Sequence, residues 1–110
     1  MSVRVSAGRL DRRITLQQKT ITRGNLGGHQ EVWTDIATVW AEVRELSGRE
    51  IFNAKAVGSS ATRMITLRHR ADVHADQRVM FTDGRIARIE WLRRTERHEY
   101  LELYCLDLDD

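Results

Sequence analysis

At 110 residues, 41% of them hydrophobic and 31% charged, the chain has the material for one compact core under a heavily charged surface and none to spare for a second. Net charge is only +2, but 16 of the 18 basic residues are arginines, a composition suited to forked contacts with carboxylate or phosphate. A lone cysteine, Cys105, excludes an internal disulfide and a cysteine metal cage; no apolar run approaches the roughly 20 residues of a membrane span, and MSVRVSAGRLDRR lacks the apolar centre of a signal peptide. A soluble cytosolic chain that touches no membrane is the expectation.

Met1 to Asp11 mixes glycine, serine and scattered charge without a period, and reads as an extended, flexible N-terminal arm preceding a single domain over residues 12–110. Basic Arg4, Arg9, Arg12 and Arg13 cluster near this end while Asp107, Asp109 and Asp110 crowd the other. That asymmetry suits head-to-tail contact between copies, and equally suits pairing within one subunit or solvation of two free termini. Arg12 to Lys19 sets Ile14 and Leu16 against Thr15 and Gln17, the alternation of a half-buried strand. Thr20 to Gln30 holds three glycines and no period, and reads as a long mobile loop.

A second strand runs from about Glu31 through Trp33 and resumes over Thr38 to Glu45, where Val39, Ala41 and Val43 alternate with Trp40, Glu42 and Arg44. Trp40 therefore falls on the charged face, either as packing under a loop or as an anchor for a neighbouring subunit. Ser47-Gly48-Arg49-Glu50 has the spacing of a capping box and predicts a short helix through Ile51, Phe52, Ala54, Lys55 and Ala56, stopped at Gly58-Ser59-Ser60. Two turns make a decoration rather than a core helix.

Ala61 to Arg70 predicts a third strand with Ile65 and Leu67 inward and Met64, Thr66 and Arg68 outward. Arg78 to Trp91 predicts a hairpin about Asp83-Gly84, and its register can be argued. A two-residue turn would set Val79 against Arg88, placing an arginine on the apolar face. A three-residue loop, Thr82-Asp83-Gly84, with Gly84 left-handed in a bulge, aligns Val79 and Phe81 with Ala87, Ile89 and Trp91. His98 to Leu106 supplies the last strand, with Leu101, Leu103 and Cys105 inward. The sum is a mainly β fold: a small antiparallel barrel or sandwich of five to six strands with one short helix and long loops. With no proline to blunt them, its edges are open to completion by another subunit.

Chemistry finds little footing. His29, His69, His74 and His98 show no metal-ligand spacing, Cys105 lies in the apolar phase of its strand, Gly27-Gly28 lacks the lysine of a phosphate loop, and no carboxylate pair is forced onto one rigid site. Catalysis, cofactors and metals are accordingly not expected. The stretch Arg85, Arg88, Arg93, Arg94 and Arg97 could face phosphate, but Glu90, Glu96 and Glu99 interrupt it.

Taken in order, Gly27-Gly28, Trp33, Val39-Trp40-Ala41, Val43 and Leu46-Ser47-Gly48-Arg49-Glu50 resemble the head–tail joining proteins of tailed phages. The resemblance continues through Ile65-Thr66-Leu67-Arg68, Asp72-Val73, the Gly84-Arg85 hairpin with Ile89, and Leu101-Glu102-Leu103; Ala87 departs from it, standing where a larger aromatic is expected. It implies a head-closure, or stopper, protein: a small barrel forming a ring, usually hexameric, between the portal/adaptor complex and the tail terminator or tail tube of a virion. Packaged double-stranded DNA would pass through the ring, and a projecting segment would line or close the channel. Related particles include defective prophages and gene transfer agents. On this reading Arg49 and Lys55, on the capped insertion, face the channel DNA, with the loop Thr20 to Gln30 as the competing segment. Arg4 and Arg9 of the arm, together with Trp40, contact subunits or partners. A tail terminator or adaptor of the same particle, and a small nucleic-acid-binding β-barrel, are the alternatives.

Overall fold

The computed structural model describes residues 7–24, 27–95, 97 and 99–108. Six strands form one antiparallel sheet: β1 (Arg12–Arg23), β2 (His29–Glu45), β3 (Arg63–Arg68), β4 (Arg78–Phe81), β5 (Ile86–Arg94) and β6 (Tyr100–Leu108), with one α-helix, α1 (Gly48–Ala56), between β2 and β3. The pairing order β1-β2-β3-β6-β5-β4 returns to β1, closing the sheet into a barrel. The expectation of a mainly β fold with five to six strands and one short helix is met by six strands and one α-helix among the described residues.

The inward residues are those that alternation selects. Ile14, Leu16, Ile65, Leu67, Val79, Phe81, Ala87, Ile89, Leu101, Leu103 and Cys105 form one buried cluster, joined by Ala41 and Val73. Each large aliphatic side chain withdrawn from water there stabilises the fold by about 1.5–3 kcal/mol. The β4–β5 turn has the geometry the register argument demands: Gly84 donates to the Phe81 carbonyl at 2.9 Å, Phe81 donates to the Arg85 carbonyl at 2.8 Å, and Gly84 sits at φ +90°. Val79 then faces Ala87 across the hairpin.

Trp91 does not follow that register. Ile89 pairs with Cys105, but Trp91 pairs with Tyr104, so Glu90 is an extra residue that reverses the phase of β5. Trp91 is turned to the outer face, where its ring stacks on Tyr104 with centroids 3.7 Å apart, and Leu92 takes the inward place. The bulged Glu90 carboxylate accepts from the Ser60 N–H at 2.7 Å and from Arg88 at 3.0 Å, which satisfies the residue that the bulge displaces.

This outer face explains a second difference. Met64, expected outward, is buried because Leu46, Ala61, Tyr104, Ile51 and Trp91 build a smaller cluster between the sheet and α1. Thr66 is buried too, flanked in the sheet by Glu42 and Glu102. The helix is thus a lid on an outer apolar patch, fixed by its cap: the Ser47 side chain accepts from the Glu50 N–H at 3.2 Å while the Glu50 carboxylate accepts from the Ser47 N–H at 2.9 Å.

The expected loop over Thr20 to Gln30 is mostly strand. β1 continues to Arg23 and β2 starts at His29, with Gln18↔Thr34 through Arg23↔His29 in register. Because β4 leaves β1 at Gln17 and β3 joins β2 only at Ala41, this part is a two-stranded ribbon extending past the barrel. Its two faces are both wet, so it carries no burial alternation for a sequence to display; Thr20, Ile21 and Thr22 supply β-branched propensity instead. The gap foreseen within β2 is also absent. The strand is continuous across a bulge at Ile36, between the pairs Leu16↔Ala37 and Gln17↔Asp35.

Candidate assembly surfaces

The molecule measures 55 × 30 × 26 Å. At about 3.3 Å per residue the 17-residue β2 nearly spans the long axis by itself. It carries the ribbon at its start and hands over to α1 at its end, so these two projections mark opposite poles of one strand.

At the helix pole, Glu50 anchors more than its cap. Both oxygens accept from Arg44, at 2.8 and 3.1 Å, and this fork, followed by the Ser47 backbone hydrogen bond, holds the Glu50 carboxyl down at about 2. Arg49 and Lys55 are exposed on the same helix and form no ion pair among the described residues. Arg49, Phe52 and Lys55 recur at intervals of three, which sets them in one oblique stripe on the surface turned away from the barrel. Phe52 is 72% exposed and Val57, at the helix end, 77%. The sequence identified the two cations; it did not flag the exposed aromatic between them.

A second surface lies beside Trp40, which is 52% exposed with the Arg13 guanidinium 4.7 Å from its ring centroid. Leu10, Asp11, Trp40 and Arg68 line an open groove of about 460 Å³. Arg9, in a 3₁₀ turn over Ala7–Arg9, reaches Glu42 at 3.9 Å, an exposed pair worth little to stability. Arg9 and Trp40 are therefore neighbours on the outer face of β2, while Arg4 lies outside the described residues. The part of the arm that is described is held: Leu10 is buried.

At the ribbon pole, Gln17 donates to Asp35 at 2.8 Å and accepts from Arg78 at 2.7 Å, and Arg78 also lies 4.1 Å from the Trp33 ring centroid. This knot clamps the ribbon's base; burial lowers the pKa of Arg78 there.

Three of the five arginines in and beside β5 are engaged, while Arg94 and Arg97 form no ion pair among the described residues. Arg85 pairs with Asp83, Arg88 with Glu90 and Arg93 with Glu102. Trp91, whose ring could otherwise offer a nucleic-acid base a stacking surface beside these arginines, is occupied by Tyr104. Burial pushes the Cys105 thiol up to about 12, as expected of a packing residue. Among the described residues no group of three or more His, Cys, Asp or Glu side chains is placed to hold a metal ion.

Comparison with known proteins points the same way as the poles. Residues 5–108 match the phage head completion protein family. Head completion protein gp7 of Enterobacteria phage HK97 is 32% identical over 77 residues, 70% of this chain and 69% of that protein. The solution structure of protein SF1141 from Shigella flexneri 2a superposes with a TM-score of 0.79 at 30% identity, covering 94% of this chain and 96% of that one. A chain from the virion of a native gene transfer agent particle shares the fold, with a TM-score of 0.60 at 21% identity over 89% and 94% of the two chains. The family match over nearly the whole chain and the identity to gp7 agree: this structural virion component belongs to the phage head completion protein family.

Proposed function

We propose that the protein is the head-closure, or stopper, component of a phage-like particle, forming a ring, usually hexameric in such connectors, between the portal/adaptor complex and the tail, and helping to retain packaged DNA. The observation that carries this reading is α1: a helix pinned to the barrel by its capping box and by Arg44, with two exposed cations that form no ion pair among the described residues. A rigid base matters here, because the backbone that carries the cations is already ordered before they meet phosphate, and phosphate contacts can hold DNA without reading its sequence. The arm before Asp11, with Arg4 and Arg9, and the groove at Trp40 serve contact with neighbouring subunits or partners.

The pairing of Arg85, Arg88 and Arg93 with carboxylates favours this connector role over a nucleic-acid-binding barrel, which would need the stripe free. A tail terminator or adaptor role in the same particle would use the same poles toward different neighbours. The test is to build particles carrying Arg49→Ala with Lys55→Ala. Heads should be completed and the protein incorporated at wild-type level, while nuclease-protected DNA falls severalfold. Unchanged protection removes α1 from the channel. Removing residues 1–9 should block docking while leaving the isolated domain's melting curve nearly unchanged; a large loss of stability would make the arm part of the fold.

A further inference from the structure

Closure of the barrel pairs most of its strand length on both sides, yet the ribbon keeps two open edges of opposite kind: β1 from Gln18 to Arg23, and β2 from His29 to Trp40. Open edges are normally shortened, covered or blunted with proline, and this chain contains no proline. An isolated two-stranded ribbon is also marginal in water. We propose that the ribbons of adjacent copies pair edge to edge, β1 of one with β2 of the next, so that the ring is stitched by a continuous antiparallel sheet.

Three observations commit the edges to a second copy of this chain. Because β1 and β2 run oppositely, ribbons set side by side by a rotation bring β1 against the next β2 in antiparallel sense. That is a heterologous contact between two different surfaces, the kind that closes a ring. The backbone groups are also free to make it. Gly24 donates to the Gly28 carbonyl at 2.8 Å, and hydrogen bonding alternates along an antiparallel pair, so the N–H groups of Lys19, Ile21 and Arg23, and of Glu31 and Trp33, point away from the partner strand within the ribbon. Charge is complementary as well: Lys19 already reaches Glu31 of its own ribbon at 3.6 Å, and Arg23 forms no ion pair among the described residues, so a neighbour's Glu31 would share Lys19 and meet Arg23. Ile21 is level with Glu31 in the register, so in ribbons aligned with the ring axis the neighbour's Glu31 lies beside Ile21 and diagonally between Lys19 and Arg23. Ile21, 61% exposed, would lose its contact with water.

This inference rests on the ring reading above and deepens it. Particles are assembled from an equal mixture of Ile21→Cys and Glu31→Cys proteins and mildly oxidised; the native Cys105 is buried and stays out of the reaction. A disulfide joining the two variants is expected. In parallel, Ile21→Pro removes one outward N–H and should cut incorporation at least tenfold without altering the isolated protein's melting, whereas Ile21→Thr keeps the N–H and incorporates normally. Particles that take up both cysteine variants with no mixed disulfide, or that take up Ile21→Pro at wild-type level, overturn the stitching and leave the connector role standing. Wild-type protein absent from particles overturns the connector role, and the stitching with it.

Discussion

Glu50→Gln should loosen α1 at neutral pH and spare it in acid. The native carboxyl sits at about 2 against an ordinary 4.5, and at 1.36 kcal/mol per pH unit that displacement corresponds to about 3 kcal/mol. Glu50 is 36% exposed, so solvent screening brings the expected loss down to about 1–2 kcal/mol. Glutamine can still accept from the Ser47 N–H, which leaves the charged fork to Arg44 as the main thing lost. A folded-state pKa below the unfolded one means the contribution is complete above about 4.5 and disappears as pH falls through about 2. Asp72, Asp83 and Glu90 are lowered as well, so the native protein itself weakens in acid; comparison of the two proteins isolates Glu50. Urea unfolding at pH 7, 4 and 2 is the assay. Equal stability at pH 7, or a difference that persists undiminished at pH 2, refutes the reasoning.

The barrel core makes further predictions. Leu67→Ala, at a fully buried site, should cost about 2–5 kcal/mol in the same unfolding assay. Gly84→Ala forces a Cβ onto φ +90° and should cost about 1 kcal/mol, with amide exchange quickening in the β4–β5 hairpin. Cys105 should resist a thiol reagent at pH 8 in the folded protein and react at once in denaturant, because its thiol is buried and held up near 12.

How far the sequence could be read follows from where burial writes a pattern. The strands around Leu16, Ile65 and Leu103 alternate because one face is dry, and the β4–β5 turn declared itself because only a bulge keeps Arg88 off the apolar face. Ser47 and Glu50 announced the helix through local hydrogen bonding alone. The ribbon stayed hidden because neither of its faces is buried in one subunit, so its residues carry no period. Trp91 misled for a different reason: a one-residue bulge at Glu90 reverses everything after it, and the bulged carboxylate finds its partner in the Ser60 backbone, thirty residues earlier in the chain. Met64 looked outward until α1 covered it. Of the site residues, Trp40 could be placed on the charged face from alternation, and Arg49 and Lys55 on the helix from the cap; the groove and the polarity of the molecule required the three-dimensional arrangement.

Reconstruction of the assembled particle by electron microscopy, at a resolution that traces β strands, tests the central claim directly. A ring of these barrels is expected at the head–tail junction, with Arg49 and Lys55 toward the DNA axis and ribbons paired between neighbours. A ring elsewhere in the particle, or one whose helices face outward from the channel, contradicts it.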